Sequence, residues 1–300
     1  TRLERLIARY NTRAQARFYI EHNGGNFALY EQEHDAYYRS LEDVQRRLGA
    51  VMKYKLLDRE FLPTFLFSDQ HMIVTVGQDG LVANTAKYAA SRPIVAVNPE
   101  KERIDGVLLP FSARSFVPAV EQVLLGKATI RPVALAEARL QDGQRLLAFN
   151  EIFLGASSHI SARYKISYQG RDAWHSSSGL LLSTAVGATA WMSSVFNMAQ
   201  GLQQAFGRGE QAWQVPALRY DELLYAVREP FASKTSQLDL IAGRLHSQDQ
   251  LVIDSLMPEQ GVIFSDGIEQ DFLHFNSGAT ATLGLAPERV QLVQALTIDN

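Results

Sequence analysis

Three short segments carry residue types whose spacing could do chemistry. The first is Val74-Thr75-Val76-Gly77-Gln78-Asp79-Gly80, an apolar run that enters a Gly-x-Asp-Gly turn ahead of a helix-forming stretch. A strand, a glycine turn and a helix in succession present backbone N–H groups at the helix N-terminus, which suits phosphate. An aspartate there opposes phosphate unless it binds a cation or accepts the proton of an attacking hydroxyl. Asp79 therefore reads either as a phosphoryl-transfer carboxylate or as the cap of a tight turn. The second is Phe149-Asn150-Glu151-Ile152, a polar pair inside the apolar stretch Leu146 to Leu154. An amide beside a carboxylate can hold the two hydroxyls of a ribose; the plainer reading is a strand alternating around a bulge. The third runs from Ser176-Ser177-Ser178-Gly179 through Ser183-Thr184-Ala185-Val186-Gly187-Ala188-Thr189-Ala190-Trp191, dense in small and hydroxyl residues before a helix. Small residues let a ligand approach the backbone closely, and the loop before the helix is a second phosphate or nucleotide seat. The alternative is a loop closed by a Thr189 cap.

Other chemistries are excluded by what the chain lacks. Its 300 residues contain no cysteine, which removes disulfides, thiolate zinc sites and cysteine nucleophiles. The seven histidines, His22, His34, His71, His159, His175, His246 and His274, show no metal-ligand spacing. No Gly-x-Ser-x-Gly elbow and no Walker sequence is present. A formal net charge of -3 gives no broad attraction to nucleic acid or an anionic membrane. No apolar run approaches the roughly 20 residues that span a bilayer. The expected setting is cytoplasmic, or organellar if a targeting peptide has been removed ahead of Thr1.

The elements that must position these segments follow from periodicity. Leu3, Leu6, Ile7 and Tyr10 predict a short amphipathic helix; residues 11–30 are ambiguous around Asn23-Gly24-Gly25-Asn26. Glu31 to Leu48 predicts a long polar helix ending at Gly49, with Ser40 and Asp43 resembling an internal capping box. Strands are expected over Met52 to Leu57, His71 to Val76 and Pro93 to Val97, and helices over Leu81 to Ala90 and around Phe116, Val120, Val123 and Leu124. That alternation argues for a parallel sheet. Near Gly126 the pattern changes. Ile160 to Gln169 alternates strictly, as a half-exposed antiparallel strand does, and Gln169-Gly170-Arg171-Asp172 reads as a turn. Leu251 to Ile253, Val262 to Phe264 and Phe272 to Phe275 are further strand candidates, and Trp191, Val195, Met198 and Leu202 mark one helix. The second half is thus mostly β.

Taken in order, the three segments resemble the NAD kinase family. The family pattern is a Gly-Gly-Asp-Gly-Thr turn, an Asn-Glu pair and a Ser-Thr-x-x-Gly-x-Thr-Ala-aromatic segment. The matches here are Gly77-Gln78-Asp79-Gly80-Leu81, Asn150-Glu151 and Ser183 to Trp191. Val262 to Gly267 looks like the family's later Asp-Gly strand turn, and Ala148 to Gly155, Ser177 to Leu180 and Val227-Arg228-Glu229-Pro230 resemble the divergent branch that includes the mitochondrial-type enzymes.

The resemblance implies an N-terminal Rossmann-like α/β domain over 1–127, a C-terminal β-rich domain of β-sandwich type over 128–278, and a segment 279–300 returning to the first domain. It implies phosphorylation of the 2′-hydroxyl of the NAD adenosine ribose to give NADP, with ATP as donor and Mg²⁺ brought by the nucleotide, and a homodimer or homotetramer. Asp79 would be the catalytic aspartate, with Gly77 and Gly80 admitting phosphate. Asn150, Glu151, Ser178, Thr189, Ala190 and Trp191 would bind NAD, Trp191 replacing the usual tyrosine. No metal ligand is expected from the protein beyond a share from Asp79. Gln78 and Leu81 replace the second glycine and the threonine of the first motif, Ser178 stands where the main family has an aspartate, and Ala185 lacks the usual proline. A sugar or lipid kinase of the same superfamily and a catalytically weak dinucleotide-binding regulator are the alternatives.

Overall fold

The computed structural model describes residues 1–89, 91–207 and 214–295. The chain opens with three helices, α1 (Arg2–Tyr10), α2 (Arg13–His22) and α3 (Phe27–Val51), then a 3₁₀ segment, Arg59–Thr64. It continues with β1 (Ile73–Val76), α4 (Asp79–Ala89), β2 (Pro93–Asn98), β3 (Phe111–Ser112) and α5 (Val117–Leu124). The strands β4 (Ile130–Leu140), β5 (Arg145–Ala148), β6 (Glu151–Ala156), β7 (Ala162–Tyr168), β8 (Arg171–Ser177) and β9 (Leu180–Thr184) precede α6 (Trp191–Phe206). The last strands are β10 (Leu223–Val227), β11 (Ala242–Leu245), β12 (Leu251–Ser255), β13 (Gly261–Ser265), β14 (Ile268–His274) and β15 (Thr280–Val293).

The strands form two sheets. One is mixed, in the order β1-β2-β15-β12-β7-β8, with β3 on β2 and with β4, itself paired to β5, on β15. Its β1–β2, β2–β3 and β2–β15 pairs are parallel and the others antiparallel. The second is antiparallel throughout, β11-β10-β9-β6-β13-β14. Leu154, Leu180, Tyr225 and Ile263 of the second sheet share one buried core with Ala138, Tyr164, Ile253 and Leu283 of the first, so the two pack face to face as a sandwich. At the other end of the mixed sheet Val44 and Leu48 of α3 pack with Val95, Val97, Phe116 and Val120. The architecture is therefore an α/β region with parallel strands joined to a β-rich sandwich. The long β15 connects them, parallel to β2 through Gln291 and Leu292 and antiparallel to β12 through Thr280 to Leu283.

Several expectations need correction. Met52 to Leu57 forms no strand; Lys53, Tyr54, Lys55 and Leu56 are all exposed, so alternation without a partner strand buries neither face. The helix expected over Glu31 to Leu48 begins at Phe27, where the Asn26 side chain accepts from the Ala28 N–H at 3.0 Å, and runs through Gly49 to Val51. Packing of Val44 and Leu48 outweighs the propensity cost of Gly49. Ser40 caps nothing, being buried in that helix, and Asp43 pairs instead with Arg46 and Arg47. The ambiguous stretch after residue 10 holds α2, capped by Thr12. Ala90, the expected end of α4, lies outside the described residues, as do residues 296–300 of the C-terminal segment.

Candidate functional site

The Asp79 turn forms where β1 ends. Val74 to Val76 pair in parallel with Val95 to Val97, and the Gly77 N–H donates to the Val97 carbonyl at 3.2 Å, so the chain leaves the sheet at Gly77. Asp79 is the first residue of α4. Its carboxylate accepts the Val107 N–H on Oδ2 and the Leu108 N–H on Oδ1, each at 3.0 Å. The aspartate thus fastens the loop after β2 to the head of α4, a contact across 28 residues that its position in a glycine turn does not announce. Leu81 folds back over Gly77, where a Cβ would lie 2.8 Å from its Cδ2. A side chain at Gly77 would therefore have to displace the tip of Leu81. Gly80 is different: it is exposed, and a Cβ there would meet nothing within 4 Å. Gln78 is exposed as well.

Asn150 and Glu151 sit at the junction of β5 and β6. Phe149, fully buried, packs in one core with Val82, Ala83 and Ala86 of α4, which sets the pair against the helix that starts at Asp79. Their backbone is held from a distance in sequence. The Asp266 carboxylate accepts the N–H groups of Phe149 (3.0 Å), Asn150 (2.7 Å) and Glu151 (3.3 Å). Asp266-Gly267 is the two-residue turn between β13 and β14, both residues having positive φ, as a type I′ hairpin turn needs. Burial pushes the Asp266 carboxyl up, while the three N–H groups and Lys87 hold it down; the net direction is upward.

The third segment is bonded to the second. The Thr184 hydroxyl donates to the Phe149 carbonyl at 2.7 Å and accepts from the Gly187 N–H at 3.1 Å, and the Thr184 N–H donates to the Asn150 carbonyl at 2.9 Å. A Cβ at Gly187 would overlap the Asn150 carbonyl, so the glycine there is a condition of the two segments meeting. Glu151 is 7% exposed, and its Oε2 has no hydrogen-bond partner among the described residues. Burial, reinforced by the nearby Asp266, pushes its carboxyl up to about 7.

Of the remaining candidates, Thr189 and Ala190 are exposed, and the Thr189 hydroxyl donates to the Val186 carbonyl at 3.2 Å. Thr189 does not cap α6, whose N-cap position is Ala190 without a side-chain bond. Trp191 stacks on Phe153 with centroids 5.6 Å apart and planes 11° apart, and the Arg228 guanidinium lies 5.2 Å from its ring centre. Ser178 is exposed at the β8–β9 turn, where its N–H donates to the Arg228 carbonyl at 2.9 Å. Gly179 adopts φ +103°, and a Cβ would stand 2.7 Å from the Leu154 carbonyl. Ser178, Trp191 and Arg228 are thus brought together, as are Asn150, Glu151 and the Thr184–Gly187 bend. The Gly77–Gly80 turn has no hydrogen bond to either group; it is linked through α4 and the core around Phe149.

Sequence reasoning left out four residues of this region: Lys87, Phe153, Arg228 and the bonding role of Asp266. The Asp-Gly dipeptide was a visible turn signal for Asp266. Nothing marks Lys87, an ordinary lysine until its helix is seen to be buried. No group of three or more His, Asp or Glu among the described residues is arranged to hold a metal ion.

No family model matches the chain. Over 129 residues, 41% of its length, it is 30% identical to an NAD kinase of Heliobacterium modesticaldum, and over 126 residues it is 28% identical to an NAD kinase of Chlorobium phaeobacteroides. In fold it resembles an NAD kinase from Archaeoglobus fulgidus solved in complex with ATP, with TM-score 0.56, 13% identity and coverage of 85% of this chain and 89% of that one. The chain is thus similar to NAD kinases in sequence over part of its length, and it shares their fold. Yeast NADH kinase, solved with NADH, shares the fold with TM-score 0.54 and 18% identity over 76% of this chain and 63% of the yeast protein. The matched stretches span 45% and 43% of the two bacterial NAD kinases, less than half of each. Within the family pattern, the two departures at the first motif have different consequences: Leu81 is used to cover Gly77, whereas Gln78 projects at the surface.

Proposed function

We propose that this protein is an NAD kinase, transferring a phosphoryl group from ATP to the 2′-hydroxyl of the NAD adenosine ribose to give NADP. The observation that carries the reading is the assembly of Asn150, Glu151 and the Thr184–Gly187 bend into one bonded unit, packed against the helix that begins at Asp79. The NADH and ATP bound to the two solved relatives of this fold support the substrate pair.

In this reading Asn150 and Glu151 hold ribose hydroxyls. Glu151 suits that task because its Oε2 is buried without a donor, which a hydroxyl would supply. Trp191, backed by Phe153 and Arg228, offers an aromatic surface to a base, with Ser178, Thr189 and Ala190 at its margin. Gly77 and Gly80 admit the phosphates, and the open space at Gly80 fits such an approach. Asp79 accepts the 2′-hydroxyl proton or orders the phosphates; each of its oxygens keeps a lone pair beyond the backbone N–H it already accepts. Mg²⁺ would arrive on the nucleotide and neutralise charge on the transferring group. Positioning and charge neutralisation supply most of the rate.

The assembly proposed is a homodimer or homotetramer in the cytoplasm, from the branch that includes the mitochondrial-type enzymes. The units proposed are 1–127, 128–278 and 279–300, supported by the separate cores around Val95 and around Tyr164. The Leu81 and Gln78 departures favour one rival, a dinucleotide-binding protein with weak turnover. A coupled assay with NAD, ATP and Mg²⁺, read by an NADP-specific dehydrogenase, separates the two. Steady NADP formation is the expected result; NAD binding with no NADP would favour the rival.

A further inference from the structure

Lys87 is buried in a way its type does not suggest: 2% of its side chain is exposed. It lies two turns beyond Asp79 on α4, and its Nζ donates to the Ser265 hydroxyl at 3.1 Å and pairs with Asp271 Oδ2 at 3.4 Å. Both partners belong to the β13–β14 hairpin, 178 or more residues away in sequence. The neighbouring Tyr88 hydroxyl donates to the same Asp271 oxygen. Ser265 immediately precedes Asp266, whose carboxylate collects the N–H groups of Phe149, Asn150 and Glu151. One chain of contacts therefore runs from the helix of the phosphate turn, through Lys87 and the hairpin, to the backbone of the Asn-Glu pair.

A buried ammonium without a good partner is costly. Here burial pushes Lys87 down, and Asp266 and Asp271 oppose it, while Arg59 from the 3₁₀ segment adds a smaller push downward. The other titratable groups facing this cluster are Tyr88 on α4 and Glu151 on β6. A cation nearby favours the Asp266 carboxylate, which is half-buried with only backbone N–H groups as direct partners. An apolar residue in place of Lys87 would leave that carboxylate with no nearby buried cation.

We propose that Lys87 is a positioning residue that fixes the Asp266 turn and through it the Phe149–Glu151 backbone, so that the donor helix and the acceptor segment keep one register. As a statement about NAD it rests on the kinase reading, but its structural core is independent of any ligand. The test is amide hydrogen exchange of the intact protein, comparing wild type with Lys87→Met, Lys87→Arg and Asp271→Asn. The expected result is exchange about tenfold faster at the Phe149, Asn150 and Glu151 amides in Lys87→Met, with β7 and β8 amides unchanged. Lys87→Arg should restore most of the protection, since it keeps the charge. If Lys87→Met fails to fold, the milder Asp271→Asn carries the test, because it removes the charge partner at a half-exposed position and should loosen the same three amides. Protection at those amides unchanged in a folded variant, or loss spread evenly over the whole chain, would overturn the proposal. Where turnover is measurable, KM for NAD should rise more than kcat falls. A chain that binds no NAD would defeat the kinase reading and leave the exchange result to stand or fall by itself.

Discussion

The Asp79 turn and the Asn150–Glu151 segment, the donor and acceptor ends of the proposed reaction, are built in opposite ways. Around Asn150 and Glu151 the protein leaves little free: three N–H groups end on Asp266, the Thr184 hydroxyl bridges two backbone groups, and Gly187 admits no side chain. Around Asp79 only two N–H bonds tie the turn to the next loop, Gly80 faces open space, and Gln78 and Leu81 replace the family's glycine and threonine. The Asn150–Glu151 segment is preorganised by the fold, while the Asp79 turn takes its final shape from fewer constraints. A preorganised site binds without paying again for its own ordering. If the proposed function holds, sensitivity to substitution should lie in turnover at the Asp79 end and in stability at the Asn150–Glu151 end.

The largest expected effect breaks the donor end alone. Asp79→Asn should lower kcat by about a thousandfold or more while leaving the calorimetric affinity for NAD near that of wild type. Retained turnover would remove Asp79 from the chemistry. The next effect breaks the acceptor end. Asp266→Ala leaves the N–H groups of Phe149, Asn150 and Glu151 without their acceptor and should cost about 2–3 kcal/mol in urea unfolding, with NAD affinity falling as well. An unchanged midpoint would mean that the three bonds are not what holds the segment.

A third expectation concerns pH. The Glu151 carboxyl is raised from 4.5 to about 7, so its contribution to stability is fully present below the lower value and is lost as pH rises through the higher one. Glu151→Gln, which cannot ionise, should gain about 3 kcal/mol of stability relative to wild type between about pH 4.5 and pH 8, with the difference smallest at the acid end. A constant difference across that range would contradict the buried, unpartnered carboxyl. The smallest effect is expected from Gln78→Gly with Leu81→Thr. Gln78 is exposed and Leu81 packs on Gly77, so turnover should change by less than about tenfold. A rise from near zero would show that the natural donor turn is degenerate.

Much of this comparison was legible in the residues, and the rest was hidden for physical reasons. The parallel pair β1–β2 and the hairpin β7–β8 follow from apolar runs and strict alternation, because burial on two faces or one is written directly into the pattern. Candidate residues such as Asp79, Asn150 and Trp191 came from motifs, yet their partners did not. The bond from Asp79 to the 107–108 loop, the three N–H groups on Asp266 and the burial of Lys87 are contacts between distant parts of the chain, and local spacing carries no record of them. The same reason explains Met52 to Leu57, whose alternation predicts a strand that finds no neighbour, and Gly49, which tertiary packing keeps inside a helix.

The most direct measurement is a calorimetric titration of NAD into the wild-type protein and into Asn150→Ala, without ATP. If the acceptor site is assembled by the fold, wild type binds NAD on its own and the variant binds it more weakly by about 1–3 kcal/mol, roughly tenfold or more in Kd. No binding to wild type, or equal affinity in the two proteins, would contradict it.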